Sequence, residues 1–191
     1  MNDVKVVTWA TPKYLKRFED SFVKSFSKHI HPNNILVLRS SEERASWMDA
    51  LKSRINLLIT MADELAFSPI VWIDIDAICH KDPQFNLLDP SKFYFYAYPW
   101  ITNDPSRKEE PEFTGAIMYL PTEGRYNFLC NWLDLSKILK DPTSGKSLTL
   151  AINHTLHVGD FKLLDDRYYA YKKYNQNPDK IIEFQDSVDL H

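Results

Sequence analysis

The stretch Val71-Trp72-Ile73-Asp74-Ile75-Asp76-Ala77-Ile78 constrains the fold of this chain more than any other. Its apolar residues run almost unbroken, which suits a strand covered on both faces, as in a parallel sheet packed between helices. Two carboxylates interrupt it. Burying a charge without a partner is costly, and the usual escapes are an ion pair or a metal. Side chains alternate along a strand, so Asp74 and Asp76 are expected on one face and Ile73 and Ile75 on the other. With Asp74 near the carboxyl end of the strand, Asp76 falls on the loop beyond it, where open α/β sheets bind ligands. Carboxylates about 7 Å apart, by the strand rise, can share a hydrated divalent cation. Oxygen ligands suit Mg2+ or Mn2+, and open coordination positions suit phosphate oxygens. The plain alternative is an aspartate pair capping the next turn, with Asp82-Pro83 behind it.

The flanking sequence supports an α/β arrangement. Val4–Trp9 is a β-branched run and a first strand. Thr11-Pro12 follows as helix N-cap and first helical residue, and Leu15, Phe18, Phe22 and Phe26 recur at helical spacing. After the turn Pro32-Asn33-Asn34, Ile35–Leu38 is a second strand, so the chain opens as strand–helix–strand. A helix is expected from about Glu42 to Leu65, with room for one break, ended by Pro69. Further strands are expected at Phe93–Tyr98, Phe113–Leu120 and Phe161–Leu164, and helices at Tyr126–Leu139 and Ser147–Leu156. The segment Pro99–Pro111 reads as a polar loop. The tail after Tyr174 is polar apart from Ile181-Ile182.

The 191 residues suit one domain, 1–191, standing alone or within a longer polypeptide. A content of 44% apolar residues supplies a core and argues against disorder. A net charge of −3 with scattered Lys and Arg sets nucleic acid aside as a main partner. Cys79 and Cys130 make no zinc pattern and read as buried, reduced thiols. The N-terminus lacks a signal-peptide pattern, and no apolar run approaches the roughly 20 residues needed to cross a bilayer. A soluble, cytoplasmic protein is therefore expected.

Trp72–Ile78 followed by Asp82-Pro83 resembles the metal-binding DxD segment of GT-A glycosyltransferases, enzymes that use nucleotide-diphosphate sugars. Val6–Thr11 resembles their first strand, whose end contacts the nucleobase. Asp49–Arg54 resembles the helix segment whose basic residue approaches the donor. Phe113-Thr114-Gly115-Ala116-Ile117-Met118-Tyr119 resembles the later strand of glycogenin-like, retaining members. These stretches occur in the family's order over about three quarters of the chain. More loosely, the whole is similar to a small glycosyltransferase domain of a large chlorella virus, which would place it in host cytoplasm. The implied fold is a Rossmann-like, mixed but mainly parallel sheet flanked by helices.

The resemblance implies a UDP-sugar donor of UDP-glucose type, transfer of a hexose or deoxyhexose to a glycan, glycoprotein or other hydroxyl acceptor, and retention of configuration. It implies Mn2+ or Mg2+ on Asp76 directly, with Asp74 reaching the ribose or the metal. It assigns the donor to Thr8, Trp9, Lys52, Arg54, Ile75, Thr114 and Gly115, with Arg54 preferred over Lys52 as the donor-side cation. A late metal-binding histidine would be His191. Tyr98 and Trp100 suit acceptor stacking. Asp165 and Asp166 are candidate catalytic or acceptor groups, or a turn with a local ion pair to Arg167. His154 and His157 read as structural or solvated. One departure stands out: retaining members often carry a carboxylate after the glycine-bearing strand, and Ser147–His154 holds none. Two rivals follow. One is a phosphatase of the haloacid-dehalogenase type, with the first aspartate as nucleophile. The other is a nucleotide-sugar-binding domain without turnover.

Overall fold

The computed structural model describes residues 3–41, 46–97, 112–139, 144–171 and 178–185. In chain order the elements are β1 (Lys5–Ala10), α1 (Pro12–Phe26), β2 (Ile35–Arg39), α2 (Trp47–Glu64), β3 (Ile70–Ile73), β4 (Ala77–Cys79), β5 (Phe93–Ala97), β6 (Phe113–Leu120), α3 (Arg125–Ile138), α4 (Ser144–Thr155), β7 (Phe161–Leu163), β8 (Ala170–Tyr171) and β9 (Ile182–Phe184). Six strands form a central sheet in the order β2-β1-β3-β6-β5-β7, and three form a small sheet in the order β4-β9-β8. In the central sheet β1 runs parallel to β2 and β3, and β5 parallel to β7, while β6 is antiparallel to both its neighbours. The sheet is therefore the mixed, mainly parallel one expected, with helices on both faces.

Alternation along the strands divides the core. Val6, Val71 and Ile73 face one side with Phe18, Phe22 and Phe26 of α1. Val7, Ile70 and Trp72 face the other, with Leu51, Ile55 and Leu58 of α2, Phe128 and Trp132 of α3, and Leu148 and Ile152 of α4. The three α1 phenylalanines are fully buried, and burial of each is worth about 1.5 to 3 kcal/mol. Pro12 opens α1, but Thr11 makes no side-chain cap and its hydroxyl is buried without a partner among the described residues. Helix α2 is capped instead by Ser46, whose Oγ accepts from the Asp49 N–H at 3.2 Å.

Three sequence expectations change. Val71–Ile78 is not one strand: β3 stops at Ile73, and β4 resumes at Ala77 in the other sheet. The Asp74 N–H makes a last bond to the Ala116 carbonyl at 2.9 Å, and the Ala77 N–H closes a turn on the Asp74 carbonyl at 3.1 Å. Strand alternation therefore does not place Asp74 and Asp76 on one face; a turn carries them. Extended Ser46 interrupts the expected helix, so α2 starts at Trp47 and runs unbroken to Glu64, while the expected beginning at Glu42 lies outside the described residues. The small sheet is the third change, because β4, β8 and β9 are each three residues or fewer and too short to show a period. No helix among the described residues is long and apolar enough to cross a membrane.

Arg125 ties α3 to α2. It is 2% exposed and follows Gly124, whose φ of 75° lies in the left-handed region that favours glycine. A cation at a helix N-terminus is unfavourable. Here it turns instead to the carboxyl end of α2, where Nη1 donates to the Ser68 carbonyl at 2.6 Å and Nη2 to those of Ala62 and Leu65 at 2.9 and 2.6 Å. Burial holds its pKa below the usual arginine value. Arg125→Met leaves three carbonyls without this donor and is expected to cost about 2 kcal/mol of stability. A thermal melt of the variant would check this.

Candidate active site at the carboxyl edge of the sheet

The topology brings most of the candidate residues to one edge. The carboxyl ends of β1, β3, β5 and β7 meet there, and antiparallel β6 contributes its beginning. In spatial order this edge presents Trp9 near the end of β1, Asp74-Ile75-Asp76 after β3, Thr114 and Gly115 at the start of β6, Tyr96 near the end of β5, and Asp165-Asp166 after β7. From β3 to β7 are three strand spacings, about 14 Å.

Arg54 organises the centre. It lies on the buried face of α2 and is 5% exposed. Its Nη1 donates to Asp74 Oδ1 at 3.1 Å and to the Gly115 carbonyl at 3.2 Å. Its Cζ lies 5.7 Å from the ring centre of Trp72 and 5.8 Å from that of Trp132, within the range of cation–π attraction. Nε and Nη2 are buried with no partner among the described residues. A Cβ added to Gly115 would lie 2.9 Å from Nη2, so this glycine makes room for the guanidinium. Trp72 Nε1 also donates to Asp74 Oδ1, at 3.0 Å. One carboxylate oxygen of Asp74 thus accepts two N–H groups. The side chain is 32% exposed, so the group is anchored without being sealed.

Asp76 is 7% exposed. Its backbone carbonyl accepts the Gln185 N–H at 3.0 Å, which ties the turn to the residue after β9. Ile75 between the two aspartates is buried in the α1-side core and fixes the turn. Asp74 and Asp76, separated by one residue in a turn and with Asp74 oriented by two N–H donors, are the oxygen ligands that could hold a divalent cation such as Mn2+ or Mg2+. Among the described residues no third His, Cys, Asp or Glu joins them. His191, Tyr98 and Trp100 lie outside the described residues.

The remaining residues divide by environment. Thr8 is fully buried and its hydroxyl has no partner among the described residues, while Trp9 is half-buried against the α2-side core. Lys52 is half-buried on α2 and makes no hydrogen bond or ion pair among the described residues. Thr114 turns its hydroxyl to the Ala116 N–H at 3.1 Å. Both Asp165 oxygens are held by Arg167, at 3.0 Å from Nε and 2.7 Å from Nη2, and this holds the carboxyl below its usual pKa. Asp166 is exposed and its Oδ1 accepts from the Tyr96 hydroxyl at 3.2 Å. His154 and His157 are exposed. Cys79 is a buried thiol whose pKa burial raises to about 12, and Cys130 is half-buried rather than buried.

Sequence reasoning did not single out Trp72 or Trp132. Trp72 was within reach, since it stands two residues before Asp74 and shares its face by strand alternation. Trp132 reaches Arg54 only because α3 packs on α2, and no local pattern encodes that contact.

No protein-family model and no curated protein matches the sequence. Among solved structures, one described as the crystal structure of a glycosyltransferase involved in the glycosylation of the major capsid of PBCV-1 superposes with a TM-score of 0.72 over 97% of this chain and 93% of that one, at 12% identity. This chain has the Rossmann-like fold of that glycosyltransferase.

Proposed function

We propose that this chain is a metal-dependent GT-A-type glycosyltransferase. It would move a hexose or deoxyhexose from a UDP-sugar to a glycan, glycoprotein or other hydroxyl acceptor, with retention of configuration. The observation that carries the reading is the Asp74-Ile75-Asp76 turn at the carboxyl edge of β3, anchored by buried Arg54 beside Gly115. The likeness to a solved glycosyltransferase supports transfer; the donor and the metal rest on the chemistry of the turn.

Asp76, with Asp74 directly or through water, would hold Mn2+ or Mg2+. A bound cation would offset the charge that develops on the diphosphate as the sugar leaves. Arg54 is a positioning residue here: it orients Asp74 and adds positive potential from below the site. Thr8 and Trp9 would hold the base, and Thr114 and Gly115 would border the transferred sugar. Asp166, some three strands away, would lie on the acceptor side, and the aromatic residues Tyr98 and Trp100 would suit stacking on an acceptor sugar. Asp165 is committed to Arg167, so Asp165→Asn is expected to change turnover by no more than about twofold, as measured with the donor hydrolysis assay, in keeping with the small worth of an exposed pair. A phosphatase would use Asp74 as nucleophile, but Oδ1 of that carboxylate is already held by two N–H donors.

A second reading is a nucleotide-sugar-binding domain without turnover. It is favoured by α4, which carries no carboxylate in its first turn. Calorimetric titration of UDP and of several UDP-sugars, with Mn2+ and with EDTA, tests both. Binding that requires Mn2+, with sugar released or transferred, is expected. Mn2+-dependent binding with the sugar left intact would select the second reading. Absence of binding would overturn both. The anomeric configuration of the product by NMR would test retention.

A further inference from the structure

The opposite edge of the sheet holds a cleft of about 620 Å³, within the range of small-molecule sites. It lies where β1 and β3 begin and β6 ends, with Val4, Val6, Pro69, Tyr119 and Thr122 on its walls. The full height of the sheet separates it from Asp74 and Asp76. The loop after β4 closes it in a fixed conformation. Asp82 Oδ1 accepts the Gln84 N–H at 2.9 Å, the Tyr168 hydroxyl donates to the Pro83 carbonyl at 2.8 Å, and Phe85 stacks on Tyr168 at 6.1 Å. Gln84 has a φ of 50°, a left-handed conformation uncommon for a residue with a side chain.

Tyr119 points to a ligand. It is 1% exposed yet lines the cleft, and its hydroxyl finds no hydrogen-bond partner among the described residues. Burial raises its phenol pKa to about 12, so it stays a donor at neutral pH. The oxygen is not among the buried unpaired atoms and so is open to the cleft, where a bound hydroxyl group can pair with it in place of water.

The lining selects the class of ligand. No Lys or Arg lines the cleft, and Asp3 and Asp82 do, with the Lys5 ammonium bonded behind the wall to the Asn34 amide oxygen, so the lining itself disfavours a phosphate or carboxylate. The other polar groups are the amides of Asn34, Gln84 and Asn86 and the imidazoles of His29 and His31. These can donate as well as accept, as sugar hydroxyls require. Val6, Phe85 and Leu88 supply apolar surface for the C–H faces of a ring. From this we infer that the cleft is a second saccharide site, which binds a short neutral glycan away from the transfer site. The inference rests on the cleft alone and stands whether or not the chain transfers sugar.

The test is saturation-transfer NMR on the full chain in EDTA, without nucleotide, using the methyl glycosides of glucose, galactose and mannose. Glucose 6-phosphate serves as the charged control. Saturable binding of at least one neutral glycoside is expected, with weaker binding of the phosphate. Tyr119→Phe removes only the hydroxyl and should weaken binding about tenfold. Thr122→Trp, at an exposed rim position, should block it. Both variants should keep wild-type Mn2+-dependent UDP affinity. Neutral glycosides that fail to bind, binding unaffected by both variants, or preference for the phosphate would each overturn the inference. Loss of UDP binding in the wild-type chain would instead count against the proposed function.

Discussion

Asp76→Asn is expected to lower Mn2+-dependent UDP-sugar turnover by two to three orders of magnitude, about the cost of removing one principal electrostatic contact from a reaction centre. The amide keeps the shape and volume of the carboxylate and loses its charge, so the donor set for a divalent cation falls to Asp74 alone. Asp74 is poorly suited to act alone, because one of its oxygens already accepts from Arg54 and Trp72. The fold should persist. The bond that ties this turn to the end of β9 uses the Asp76 backbone carbonyl, which the substitution leaves in place. The readouts are calorimetry of UDP with Mn2+ or EDTA, donor turnover, and a thermal melt. Wild-type turnover in Asp76→Asn would show that the metal, if used, is held elsewhere. A collapsed melt would show a structural carboxylate.

The placement of much of this candidate site was legible because its residues sit at the ends of strongly patterned elements. The run before Asp74 could be read as a buried strand, the Phe113–Leu120 run as another, and the register brings Gly115 to the same edge. The break within Val71–Ile78 was not legible. Ile75, Ala77 and Ile78 are apolar enough to continue a strand, and only pairing with β9, more than 100 residues later, pulls Ala77–Cys79 into a second sheet. The role of Arg54 was half legible. The resemblance of Asp49–Arg54 to a donor-side helix segment implies a basic residue there, but a lone sequence cannot distinguish a guanidinium that faces a ligand from one packed near two indoles. That difference depends on Trp132, which α3 delivers. Residues at Asp165-Asp166-Arg167 carried two readings, and the bidentate contact within the turn accounts for Asp165 without a substrate.

The Arg54 arrangement makes the second large prediction. Arg54→Ala is expected to cost about 3 kcal/mol of stability, since it strips a donor from Asp74 and from the Gly115 carbonyl and leaves a void between Trp72 and Trp132. Partial exposure of Asp74 limits the loss, because water can reach that carboxylate. Function should fall further than stability. Without the guanidinium, Trp72 Nε1 is the remaining described donor to Asp74, and Mn2+-dependent UDP affinity is expected to fall by about 10- to 100-fold. Arg54→Lys keeps the charge but not the planar group, so one ammonium must replace a guanidinium whose Cζ lies 5.7 and 5.8 Å from two indole centres and whose Nη1 reaches two acceptors. It should recover most of the stability and little of the affinity. Gly115→Ala approaches the same contact from the other side: its methyl group would stand 2.9 Å from Nη2 and push the guanidinium off Asp74. If orientation of Asp74 is what Arg54 supplies, Gly115→Ala and Arg54→Lys will lower affinity by similar factors, and the double variant will lose little more than either alone. Additive losses would mean that Arg54 and Gly115 act on the donor separately. Wild-type affinity in both single variants would remove Arg54 from the site and leave it a core residue.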